Sequence, residues 1–539
     1  MTARTLGDSD VFVGFLCLYL LTASRSPPFG DAVPMWEAAC SLVRGGTFAI
    51  DTRWPVNAPM GPSGHYYPVA ALLACLVHVP GALLQAVLTS WVPARAPQLV
   101  AVTSQLGPLV VGALVPTFFF RLLKQLDYGA RAAAWTTLLL GTATSIWVYA
   151  HRPYSEILQA ACFLAFLSAL LRAAETPTRA AGLSLGLSVA FLVNAKNVYV
   201  ACLPGAAAYL LWCLRARPRE LRGAVAWAAV GVAPGLLALG WYNHVRWGAA
   251  LSTGYGPVTA GFWNEHILVG LWGQFLSPGK SVFLYAPPLI LSVMGIRRFW
   301  SHRPRAAVAI VLVVGPVVLV YARYLFWSGD WGWGPRYLVF ALPALMIPAA
   351  EMFGDAFAPG SAPAIRRPRF AACALGALLT AGVGVQVLGN AFYWDDFINV
   401  ARQAQRAWLG HPDTRGTVLS PYPCLSCFEE VYAIEWLPPM QPIAGHWWLL
   451  RHKWAGDDWM TAEADAPWRR YTSVRLDIHA TYDAAGIDWW PFAADPGRRL
   501  PAALVALCLL LAVPVRPWWA ALRSSAARDK PDAPPRLEA

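Results

Sequence analysis

VFVGFLCLYLLTASRSPPFGDAVPMWEAACSLVRGG, residues 11–46, decides the class of fold. Its first part, 11–24, carries no charge. Pro27, Pro28 and Phe29 follow it without a small-x-small cleavage site, so it reads as an uncleaved spanning helix and not as a signal peptide. In the second part Val33, Trp36, Ala39, Cys40 and Val43 recur at helical spacing, and Gly45 and Gly46 offer a left-handed ending. The expected element is a short amphipathic helix lying on the membrane surface. Asp31 precedes it, a carboxylate at the depth of the lipid headgroups.

The rest of the chain extends that reading. Of its 539 residues 57% are hydrophobic and only 13% charged, and the mean hydropathy is +0.44, far more apolar than soluble domains usually are. Uncharged runs recur, and a spanning helix needs about 20 residues. Only helices or closed barrels satisfy their own backbone in hydrocarbon, and continuous apolar runs lack a barrel's alternation. The fold expected is an all-α polytopic bundle of about twelve spans, near 11–24, 98–120, 132–149, 157–171, 180–193, 198–214, 223–241, 281–296, 306–321, 337–350, 370–389 and 500–515. Basic clusters (Arg121/Lys124/Arg131, Arg172/Arg179, Arg215/Arg217/Arg219/Arg222, Arg297/Arg298/Arg303/Arg305, Arg366/Arg367/Arg369) follow every second run. That alternation puts both termini in the cytoplasm. It also accounts for the net charge of +12 and leaves no basic patch for nucleic acid. The stretch 67–92, with His78, Pro80, Gly81, Gln85 and Trp91, would break the alternation and is expected to be re-entrant or interfacial.

Four regions follow: a membrane domain, 1–389, whose first extracytoplasmic loop is 25–97; a polar extracytoplasmic domain, 390–499; a last span, 500–515; and a Pro-rich tail, 516–539, expected to be disordered. The 390–499 domain holds ten of the 27 tryptophans. SVRLDIHA (473–480) alternates like a strand, so the domain is expected to be mixed α/β. Trp447, Trp448, Trp489 and Trp490 fit either sugar stacking or an interfacial belt. Most of the ten cysteines sit in apolar runs as packing residues, whereas Cys424 and Cys427 form a C-x-x-C that suits a short disulfide or half a metal site.

FGDAVPMWEAACSLVRGGTFAID followed by HYYPVAALLACLVHVPGALL resembles the opening of the GT-C glycosyltransferases, the superfamily of the protein O-mannosyltransferases and the lipid A aminoarabinose transferase. RPYSEILQA, LSVAFLVNAKNVYV, WYNHVRWGAALSTGYG, LSPGKSVFLYAPPLILSVMG and WSGDWGWGPRYLVFALPALMIP are similar to later stretches of that superfamily, in order, up to Pro348. The resemblance implies transfer of a sugar from a polyprenyl-phosphate donor to a glycan, lipid or protein acceptor, on the outer face of what the Ala-, Arg-, Gly- and Pro-rich composition suggests is a bacterial plasma membrane. It places Asp31 at the essential acid and Glu156 at a second acid, with Lys196 as a basic partner.

Such chemistry needs cations against a leaving phosphate, for which arginine's fork is suited. Arg336, Lys196, Arg246 and Lys280 all fall on the outer side, and Trp36, Glu37, Tyr67 and Tyr255 lie in the stretches carrying the resemblance. Plainer roles stay open beside these. Asp31 is a natural N-cap, Glu156 a first-turn acid, His151 a solvated loop residue, and Arg246 or Lys280 a snorkelling side chain. A divalent cation held by Asp31, His151 and Glu156 is the one cofactor left open. A flippase or transporter of polyprenyl-linked glycans is the alternative function, but it calls for ionisable groups at mid-bilayer on broken helices. A non-catalytic scaffold with the same fold is a third.

Overall fold

The computed structural model describes residues 5–51, 58–255, 261–329, 331–353, 368–408, 431–471, 473, 475–488 and 515–523. All regular structure among them is helical, apart from isolated bridge residues, among them the pairs of Tyr66 with Ile50 and Met60. Six helices are long and apolar enough to cross a membrane: Leu72–Trp91, Leu99–Gln125, Glu156–Glu175, Asn197–Leu214, Pro218–Trp247 and Pro304–Ala322. The chain is an integral membrane protein.

Twelve runs were expected, and the difference has a physical cause. Several runs fold as pieces too short to span alone. Residues 132–149 divide into Ala130–Thr142 and Ile146–Ala150, and 281–296 into Val282–Tyr285 and Leu289–His302. The first run is the 14-residue helix Asp8–Leu21. Residues 337–350 become 3-10 turns around the five-residue helix Leu342–Met346, where Pro343 and Pro348 remove backbone donors. Leu72–Trp91 has the length and apolarity of a span, so neither property sets it apart as re-entrant. The 370–389 run continues to Ala391 and then turns by 83° into Trp394–Ala407. The run 500–514 lies outside the described residues, as do Cys424, Cys427, Trp489 and Trp490.

Close helix approach holds the membrane half together. Arg179–Ala195 lies along Pro218–Trp247, and a Cβ on Gly186 would sit 2.0 Å from the Ala228 carbonyl oxygen, one on Gly231 2.5 Å from that of Leu183. Only glycine permits such backbone contact between helices. Glu156–Glu175 packs against Arg179–Ala195 and Leu106–Gln125, and nearly all of it is buried.

The mixed α/β expectation for 390–499 finds no strand among the described residues: their regular structure is helical, and 475–478 carries none. The alternation itself was real, because Leu476 and Ile478 are buried while Arg475 and Asp477 are exposed. Trp448 is also buried, against Trp468 and Tyr482, whereas Trp447 is exposed. The start of the expected disordered tail, 516–523, is helical instead, and Trp518 meets the Phe15 ring edge-on at 5.9 Å.

Candidate active site

Four elements distant in sequence converge on Arg336. Asp31 occupies the N-cap position of Ala32–Gly45, but its side chain makes no capping hydrogen bond. It accepts instead from Arg336 Nη2 at 2.5 Å. Glu156, the first residue of Glu156–Glu175, brings Oε1 to 3.1 Å from Arg336 Nε. Its Oε2 is buried without a hydrogen-bond partner. Asp31 is the open member of this triad, its side chain 37% exposed against 10% for Arg336 and 4% for Glu156. Glu156 is therefore a buried partner and not merely a helix-dipole acid.

The sequence around each group explains its placement. Gly30 adopts φ +54, a region favouring glycine, with the Tyr154 hydroxyl against it. Gly329 and Gly334, at φ +74 and +71, permit close packing around Arg336: a Cβ on the first would meet Arg336 Cβ at 2.5 Å, and one on the second the Tyr285 ring at 2.6 Å. Lys280 Nζ donates to the Gly332 carbonyl at 2.6 Å, and Tyr149 Oη donates to that of Trp333 at 3.2 Å. Both side chains thus brace the loop that presents Arg336.

Lys196 ends Arg179–Ala195 with its ammonium 4.8 Å from the ring centre of Tyr337 and 5.5 Å from that of Tyr321. Those two rings are stacked 4.6 Å apart. Burial pushes the Lys196 amine down to about 8, against the pull of Glu156, while Arg336 adds to the depression. Burial also disfavours the charged Arg336, but Asp31 and Glu156 outweigh it and hold the guanidinium firmly protonated. Tyr255, half-exposed, stands within electrostatic reach of Asp31, Tyr337 and Arg336.

Of the remaining expected residues, Arg246 stands within electrostatic reach of Tyr255. Arg246 is buried and donates to the backbone carbonyls of Pro68 and Ala70 and to Asn243 Oδ1. It ties the juxtamembrane loop to the end of Pro218–Trp247. Tyr67 packs on Trp247, with its hydroxyl 3.1 Å from Ser63 Oγ. Trp36 is buried against His78, and Glu37 is half-buried on the same helix. His151 is buried, not solvated, and its Nε2 lies 2.5 Å from Asn390 Oδ1. Burial, with Arg152 beside it, pushes its imidazole down and keeps it neutral. With His151 engaged there and both carboxylates on Arg336, the three do not form a cation cage. Among the described residues no group of three or more His, Cys, Asp or Glu is arranged to hold a metal.

Several neighbours were not foreseen. Tyr154 Oη lies 3.0 Å from Tyr393 Oη, and its ring faces Arg336 at 5.7 Å. Arg152 makes a buried ion pair with Asp488 at 2.6 Å, and Asp488 also accepts from Ser24 Oγ at 2.8 Å and Ser26 Oγ at 2.7 Å. Asp395 is buried within electrostatic reach of Arg152, Arg336 and Asp31. Arg152 and Tyr154 both lie in the quoted motif RPYSEILQA; Tyr393, Asp395 and Asp488 lie hundreds of residues from these partners.

No protein-family model matches the sequence, and no curated protein is similar to it. Among solved structures, the chain is similar to the crystal structure of ArnT from Cupriavidus metallidurans bound to undecaprenyl phosphate, at 17% identity and a TM-score of 0.41, covering 81% of this chain and 76% of that one. The apo form of the same protein gives 17% identity and a TM-score of 0.40, covering 80% and 74%. The archaeal oligosaccharyltransferase AglB from Archaeoglobus fulgidus, in complex with an inhibitory peptide and a dolichol-phosphate, gives 11% identity and a TM-score of 0.43, covering 75% of this chain and 58% of that one.

Proposed function

We propose that the chain is a membrane glycosyltransferase of GT-C type that moves a sugar from a polyprenyl-phosphate donor to an acceptor hydroxyl on the extracytoplasmic face, with inversion. The observation that carries this reading is the Asp31–Arg336–Glu156 triad with Lys196 beside it: a carboxylate open to solvent next to a preorganised pair of cations. A glycosyl phosphate leaves with the electron pair of its broken C–O bond, and fixed cations lower the cost of that charge.

In this reading Asp31 takes the proton of the acceptor hydroxyl, and the acceptor oxygen attacks the anomeric carbon as the bond to phosphate breaks. Arg336 and Lys196 receive the departing phosphate. Glu156, buried on Nε, fixes the orientation of the guanidinium. The 25–97 loop and the 390–499 region lie on the same outer side, where the acceptor arrives.

The test begins with mass spectrometry of lipids co-purifying with the full chain, to identify a polyprenyl-phosphate sugar. Transfer from that donor is then compared between wild type and Asp31→Asn. Losing a general base alone costs about 10² to 10⁴ in rate, and a fall of that order is expected with the melting temperature nearly kept, because the Asp31 side chain caps no helix and Glu156 remains as counter-ion to Arg336. Near-wild-type transfer by Asp31→Asn would remove Asp31 from the mechanism.

A further inference from the structure

The guanidinium that is to receive the phosphate is already engaged by the proposed base. Arginine binds phosphate best through two parallel N–H donors. A guanidinium has two such edges besides its stem, Nε with Nη2 and Nη1 with Nη2, and both include Nη2. That is the atom on which Asp31 Oδ2 sits, at 2.5 Å. The Tyr154 and Tyr337 rings stand 5.7 and 5.3 Å from the guanidinium carbon. Of the two carboxylates, Glu156 is enclosed and Asp31 is the one with room to withdraw.

Resting on the glycosyltransferase reading, we infer that Asp31 and the lipid phosphate compete for Arg336 Nη2, so that Asp31 is both the base and the group that expels the spent polyprenyl phosphate. The donor phosphate displaces Asp31 from Nη2 and turns it toward the acceptor. The acceptor O–H bond then breaks and its proton passes to Asp31, the new glycosidic C–O bond forms, and the old C–O bond leaves its electron pair on phosphate. A protonated Asp31 no longer competes for the guanidinium, so the product is held. When Asp31 gives its proton to water, the carboxylate regains Nη2 and the phosphate is released. The two roles are consecutive, and the carboxylate's charge sets which one is in force.

The experiment measures binding of undecaprenyl phosphate to the purified full chain in detergent, for wild type, Asp31→Asn, Asp31→Ala, Glu156→Gln and Arg336→Ala, with melting temperatures to confirm folding. Asparagine stands in for the protonated acid. Asp31→Asn and Asp31→Ala are expected to bind about tenfold more tightly than wild type, the direction opposite to that of losing a ligand-contacting residue. Glu156→Gln is expected not to tighten, because it withdraws support from Arg336 at Nε. Equal or weaker binding by both Asp31 variants overturns the competition, and so does equal tightening by Glu156→Gln, which would indicate a general field in place of a shared atom. If wild type binds and Arg336→Ala binds equally well, the competition is overturned and the phosphate site lies elsewhere. If neither wild type nor either Asp31 variant binds, the glycosyltransferase reading itself fails.

Discussion

Asp488→Asn is the perturbation whose size the structure fixes best. Asp488 and Arg152 are almost fully enclosed, their side chains 2% and 1% exposed, with 2.6 Å between Oδ2 and Nη1. Asparagine retains an oxygen to accept from Ser24 and Ser26 but leaves the Arg152 charge buried without its counter-ion. Breaking a buried pair from one side costs about 3–5 kcal/mol, most of it the stranded charge. Contact of Arg152 with the Tyr393 and Trp394 rings, at 4.7 and 5.3 Å, offsets part of this, so about 3 kcal/mol is expected. Arg152→Met combined with Asp488→Asn removes both charges and should recover at least about 1 kcal/mol of the loss. Equilibrium unfolding of the full chain in mixed micelles reads both values. A change below about 0.5 kcal/mol for the single variant, typical of exposed pairs, or a double variant less stable than the single one, would refute the reasoning.

Two further predictions concern charge and sidedness. Lys196, with its amine pushed down to about 8, carries its charge below that pH and loses it above. Undecaprenyl phosphate, whose second ionisation is complete well below pH 8, should therefore bind more weakly as pH rises through 8. Lys196→Arg should remove that step, and a wild-type affinity flat from pH 7 to 9 would remove Lys196 from the phosphate site. The alternation of basic clusters predicts that the 390–499 region lies outside the cytoplasm. A cysteine at Trp454, 84% exposed, should react in intact cells with a membrane-impermeant maleimide; reaction only after permeabilisation would reverse the topology.

Asp31, Glu156, Lys196 and Arg336 were legible because each sits beside a local signal: a helix start, a helix end, or a glycine-rich turn. Arg246 and Lys280 carried the same kind of signal, yet their donors go to backbone carbonyls of Pro68, Ala70 and Gly332. A one-dimensional pattern cannot tell a cation aimed at a ligand from one aimed at a loop. The Asp488 clamp was illegible for a different reason, since Asp488 and Ser24 are 464 residues apart. SVRLDIHA reads as a strand from its alternation, but alternation specifies which side chains turn inward, as Leu476 and Ile478 do, and not whether a neighbouring strand exists. Apolar runs containing Pro or Gly satisfy a hydropathy criterion while breaking into short helices, so run count and count of long helices differ.

The most direct test of the account is a cryo-electron-microscopy map of the full chain with undecaprenyl phosphate. The account predicts phosphate density within hydrogen-bonding distance of Arg336 and Lys196, with the Asp31 carboxylate moved off Arg336 Nη2 and Glu156 still beside Nε. Phosphate density elsewhere on the protein, with Asp31 and Glu156 both still on Arg336, would contradict it.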